Sequence, residues 1–119
     1  MKSNQRLVVY VDVDDTLHRS AGTKTLPIPR VVEHVIDLAK SGAELYCWSA
    51  VGAEYARSTA HKLGIERCFV GFLPKPNIAV DDQDVSAWTH FAVVHPLNAA
   101  SRTVDDYWEL IDAAQSTRP

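Results

Sequence analysis

The run Leu7-Val8-Val9-Tyr10-Val11 passes without interruption into Asp12-Val13-Asp14-Asp15-Thr16, and this junction limits the possible folds more than any other feature. A continuous valine-rich run is the pattern of a strand buried on both faces, as in parallel sheets covered by helices. Carboxylates cannot continue such a strand into a dry interior, so the acids mark its carboxyl end.

The rest of the chain repeats that alternation. Pro29 opens a helix in which Val31, Val32, Val35, Ile36, Leu38 and Ala39 recur at helical spacing, and Gly42 is placed to stop it. Glu44-Leu45-Tyr46-Cys47-Trp48 reads as a second strand ending at Ser49. A weaker helix covers residues 53–63, with Gly64 as terminator. Further strands are expected at residues 67–72, at Asn77-Ile78-Ala79-Val80 and at residues 90–94. A last helix is expected over about residues 104–114, with Thr103 as its cap and Val104, Trp108, Ile111 and Ala114 facing inward. Strands joined by helices imply an α/β fold whose sheet is mostly parallel, with helices on both faces.

The 119 residues suit one compact domain over 1–119, and an apolar share of 46% with 23% charged residues excludes a disordered chain. A net charge of -3 with both signs scattered gives no footprint for nucleic acid or a membrane surface. Cys47 and Cys68 lie in apolar stretches without metal-ligand spacing and read as reduced, buried thiols. The polar start Met1-Lys2-Ser3-Asn4-Gln5-Arg6 leaves no room for a secretory apolar region, and no run is long enough for a membrane helix. A cytoplasmic location is the expectation.

In open parallel sheets, ligands bind beyond the carboxyl ends of the strands. Asp12 and Asp14 follow the first strand, Ser49 the second, and Asp81 and Asp82 the fourth, so one pocket is expected to collect them. Clustered carboxylates demand a cation. Oxygen ligands alone suit a hard ion such as Mg²⁺, which keeps several waters and takes one or two carboxylates. Lys75, six residues before Asp81, is placed to reach the same edge. Carboxylates, a cation, a lysine and hydroxyls make a site for a phosphoryl group. There Asp12 would attack phosphorus and Asp14 would protonate the leaving oxygen and later deprotonate water. Thr16 and Ser49 would bond phosphoryl oxygens or orient the loop.

These residues together resemble the motifs of the haloacid dehalogenase-like hydrolases. Asp12-Val13-Asp14-Asp15-Thr16 is similar to the first motif, Ser49 to the second, Lys75 to the third, and Asp81-Asp82 to the fourth, in the family's order. The resemblance spans about residues 7 to 95. It implies a three-layer, Rossmann-like sandwich with a five-stranded sheet, and a Mg²⁺-dependent phosphatase acting through an aspartyl-phosphate. It also implies metal held by Asp12, the backbone carbonyl of Asp14 and Asp82 or Asp81. Asp15 stands where relatives often carry glycine. Many relatives place a helix between the third-motif lysine and the fourth strand, which Lys75-Pro76-Asn77 leaves no room for, so Lys62 and Lys24 remain as alternatives to Lys75.

Neither place where relatives insert a cap domain is long enough to hold one: residues 17–28 read as a loop and residues 71–76 are shorter still. An open site fits a phosphorylated substrate of macromolecular size, or a partner subunit serving as lid, and an oligomer is compatible with this. His18, Arg19 and Lys24 lie on the flap-like loop within reach of substrate, although His18 and Arg19 read first as exposed. His34, His61, His90 and His95 read as structural or surface groups, and Trp48, Trp88 and Trp108 as packing residues. For Ser49 the plain alternative is the N-cap of the second helix. Two other functions compete: a non-catalytic module binding Mg²⁺ and phosphate, and a receiver-like phospho-acceptor, whose motif order disagrees with this chain.

Overall fold

The structure, a computed structural model, describes residues 5–116; the remaining residues of the expected 1–119 domain lie outside that range. Strand β1 (Val8–Asp12) is followed by β2 (His18–Ala21) and β3 (Lys24–Pro27), helix α1 (Pro29–Lys40), β4 (Glu44–Ser49), helix α2 (Ala53–Lys62) and β5 (Phe69–Pro74). Short helix α3 (Pro96–Ala99) and helix α4 (Val104–Ser116) complete it. The fold is α/β, with a parallel sheet ordered β1-β4-β5 and a separate antiparallel pair, β2-β3.

Local chemistry accounts for the first half. Pro29 at the start of α1 gives up an N–H that has no helical partner anyway, and Gly42 takes φ 89° just past the end. Val31, Val35 and Leu38 form the buried stripe of α1, each worth about 1.5–3 kcal/mol when fully withdrawn from water. They meet Leu45 and Cys47 of β4 and Ala56 and Ala60 of α2 in one core cluster.

Both crossovers step the same way, β1 to β4 to β5, and right-handed crossovers then place α1 and α2 on one face. The other face carries Tyr10, Tyr46 and Trp48, with Tyr10 46% exposed. Among the described elements the expected three-layer sandwich is therefore two layers. Helix α4 packs Val104 and Tyr107 toward the same core, the Tyr107 hydroxyl lying 2.6 Å from His34 Nε2. Its start is tied by Thr103 and Asp106, each side chain accepting the other's backbone N–H at 3.0 and 2.8 Å.

The five-stranded parallel sheet is not formed. Residues 77–80 and 90–94, expected as strands, have no regular structure, and Ile78, Val80 and Val93 stand in solvent. The cause is connectivity: only Lys75 and Pro76 separate the end of β5 from Asn77. A parallel neighbour needs a crossover of about a dozen residues, and Pro76 lacks an N–H for pairing. Residues 90–94 then have no neighbouring strand, and Phe91 packs on Trp88 at 5.6 Å instead.

The segment expected as a plain loop over residues 17–28 is also different. It is the β2-β3 hairpin, closed by Gly22 and Thr23 with Gly22 at φ 66°, the positive φ that two-residue hairpin turns require.

Candidate active site

The register explains how residues far apart in sequence meet. Asp12 of β1 lies opposite Trp48 of β4, and Ser49 opposite Pro74 of β5, so the carboxyl ends of all three strands are level. Backbone pairing continues one residue past β5, where the Lys75 N–H donates to the Ser49 carbonyl at 2.9 Å. Two strand spacings, roughly 10 Å, then separate Lys75 from Asp12, a gap that the lysine and aspartate side chains close by reaching toward each other. Its Nζ ends 3.2 Å from Asp12 Oδ1 and 5.8 Å from the centroid of the Trp48 ring. Lys75 is thus the lysine that the fold delivers to Asp12.

After Asp12 the chain turns tightly. The N–H groups of Thr16 and Leu17 donate to the Val13 carbonyl at 3.2 and 2.9 Å, and the Asp15 N–H to the His18 carbonyl at 2.8 Å. Asp15 adopts φ 61°, the left-handed conformation that glycine takes freely and aspartate tolerates. Val13 and Leu17 are wholly buried and anchor the turn. Thr16 Oγ1 lies 3.4 Å from Asp12 Oδ2, a long hydrogen bond that orients the carboxylate weakly.

Asp14 is held more firmly. The Tyr55 hydroxyl donates to its Oδ1 at 2.6 Å, and His18 Nε2 lies 2.8 Å from the same oxygen and 3.1 Å from the Tyr55 hydroxyl. The Tyr55 bond first, then the His18 bond, hold the Asp14 carboxyl below the ordinary value against a smaller opposing effect of burial. The same bond to Asp14, with burial adding to it, pushes the Tyr55 hydroxyl up to about 12. Asp14 therefore rests as a carboxylate. Its side chain is 52% exposed, while that of His18 is 11% exposed.

His18 is consequently not the exposed loop residue expected; its ring closes the base of the hairpin. The spacing Asp14-Asp15-Thr16-Leu17-His18 was the available signal, since a tight turn brings its two ends together. Tyr55 carried no such signal, being 41 residues from Asp14.

Ser49 is 2% exposed, and its Oγ accepts the Val51 N–H at 3.0 Å. Gly52, at φ 142°, is the N-cap of α2 in its place. Ser49 thus organises the strand-to-helix turn beside the site. Asp81 and Asp82 are exposed in the irregular stretch after β5, where Asp81 Oδ1 accepts the Gln83 N–H at 3.0 Å. The structure brings Asp12, Asp14, Thr16, Ser49 and Lys75 to one sheet edge. Among the described residues, no group of three or more histidine, cysteine, aspartate or glutamate side chains is gathered for a metal, so Asp12, Asp14 and Asp81 or Asp82 do not form one.

The chain has no match among protein-family models, curated proteins or solved structures. Among the described residues no helix is long and apolar enough to cross a membrane.

Proposed function

We propose that the chain is a phosphatase core of haloacid dehalogenase-like type, hydrolysing phosphoric monoesters with Asp12 as nucleophile. The observation that carries this reading is the Asp12–Lys75 pair at 3.2 Å, formed at the strand ends with Asp14 on the adjoining turn. A lysine there offsets charge on a phosphoryl group as it approaches the Asp12 carboxylate.

An Asp12 oxygen forms the bond to phosphorus as the bond from phosphorus to the ester oxygen breaks, and Asp14 supplies the proton the departing oxygen needs. A water molecule, losing its proton to Asp14, then displaces phosphate from Asp12. Asp14 rests ionised, and the negative charge of an arriving phosphoryl group favours its protonation.

The donors present fit Mg²⁺. Asp12 contributes a carboxylate that is about one-third exposed, and no backbone N–H among the described residues bonds the carbonyl of Asp14. Hard oxygen donors completed by water are what Mg²⁺ takes. These two groups would hold the ion, which when bound supplies positive charge for the phosphoryl oxygens. Asp82 or Asp81 as a further donor rests on the family resemblance alone.

The open edge favours a phosphorylated group presented by a large substrate. Turnover of a generic aryl phosphate with Mg²⁺ tests the reading: Asp12→Asn should abolish it while far-ultraviolet circular dichroism stays unchanged. An undiminished rate rejects the mechanism, and Mg²⁺-dependent phosphate binding without turnover of any ester assigns a binding module instead.

A further inference from the structure

We propose that Tyr55 and His18 are positioning residues that hold Asp14 by one carboxylate oxygen, Oδ1, and thereby assign proton exchange with the leaving group to Oδ2. The inference rests on the phosphatase reading, in which Asp14 serves as acid and base.

Three polar atoms form a closed triangle: Asp14 Oδ1, the Tyr55 hydroxyl and His18 Nε2, with edges of 2.6, 2.8 and 3.1 Å. Both contacts to Asp14 fall on the same oxygen. A carboxylate held in this way has one oxygen occupied and cannot swing about its side-chain bonds without breaking two hydrogen bonds. No side chain among the described residues bonds its other oxygen, and the side chain is 52% exposed.

The two holding groups stand on rigid supports. Tyr55 lies in the first turn of α2, whose Ala56 and Ala60 are wholly buried in the core. His18 is 8% exposed and follows the buried Leu17. Asp14 itself sits on a turn whose next residue has φ 61°, so its own backbone fixes it less than a strand or helix would. Proton transfer requires the donor oxygen within hydrogen-bond reach of the leaving oxygen, and small displacements are costly in rate.

The test uses the full chain with Mg²⁺ and two esters, p-nitrophenyl phosphate and an alkyl phosphate. Nitrophenolate departs with little need of a proton, whereas an alkoxide depends on one. Tyr55→Phe should lower the ratio of alkyl to nitrophenyl kcat by about tenfold, with KM for each ester little changed. His18→Leu should do the same. His18→Gln, which can place an amide N–H near Nε2, should restore most of the ratio. A merely structural role would lower both rates together, and that outcome, or a ratio unmoved in Tyr55→Phe and His18→Leu, overturns the inference. Asp14→Asn separates the two levels of failure. If it lowers the ratio and the Tyr55 and His18 variants do not, positioning alone is wrong. If unmodified protein turns over neither ester, the phosphatase reading fails and the positioning role fails with it.

Discussion

Lys75 Nζ stands 3.2 Å from Asp12 Oδ1 although β4 lies between the strands that lead to them. The pair forms across the end of the central strand, and the Trp48 ring lies beneath the ammonium group.

Both partners are about one-third exposed, at 37% and 34%, so the pair contributes at most about 1 kcal/mol to stability. Lys75→Met should therefore leave the urea midpoint nearly unchanged. Its kcat on a phosphate monoester should fall by about a hundredfold, the usual effect of removing one group that stabilises developing charge. Parallel unfolding and steady-state measurements check this, and a large stability loss with an intact rate would make Lys75 a structural residue.

At Asp15 the backbone conformation makes the prediction. A side chain at φ 61° carries strain that glycine relieves, while glycine costs about 0.5–1 kcal/mol in chain entropy. Asp15→Gly should stay within about 1 kcal/mol of the parent, whereas the branched Asp15→Val should lose about 1–2 kcal/mol. Thermal unfolding of the two variants distinguishes these outcomes.

Burial pushes the Cys47 thiol up to about 12, with the charge of Asp12 adding to the effect. Thiolate is the reactive form, so Cys47 should resist iodoacetamide at mildly alkaline pH until the protein unfolds. Cys68 is only partly buried and should be alkylated first. Peptide mass spectrometry after timed labelling reads the order.

His34 supplies a pH dependence. Burial holds its imidazole below the ordinary 6.5, the charge of Asp37 opposing, so between the two values the unfolded chain binds more protons than the folded one. Stability from neutral His34 is complete above about 6.5 and is lost as pH falls through the folded value. His34→Gln should flatten this part of the stability profile, measured as urea midpoints across the mildly acidic range.

What could be read in advance was local. The Pro29 start and Gly42 stop of α1, the strand of Glu44–Ser49 and the Thr103 cap depend on neighbours within a few residues, and all four occur as the sequence suggests. The inward face of α4 was less legible, since Tyr107, which touches His34, was not among the residues expected to face inward. Residues 77–80 have the composition of a strand, but a strand also needs an edge it can reach, and the two-residue link after β5 denies a parallel approach. In the site, Asp12 and Asp14 were legible from their place after a strand, whereas Lys75 was read from its spacing to Asp81, with Lys62 and Lys24 as alternatives, and the β4–β5 register is what brings it to Asp12. Tyr55 was not, because only the packing of α2 on the sheet brings its hydroxyl to Asp14.

His18 is at once the first residue of β2 and a partner of Asp14. Arg19 and Lys24, on opposite arms of the hairpin, stand exposed beyond it. Tilting the hairpin must therefore strain the grip on Asp14, and thermodynamic linkage makes the relation reciprocal. Were a molecule on Asp14 to shift the hairpin, the hairpin seized at its tip would act on Asp14 with the same free energy.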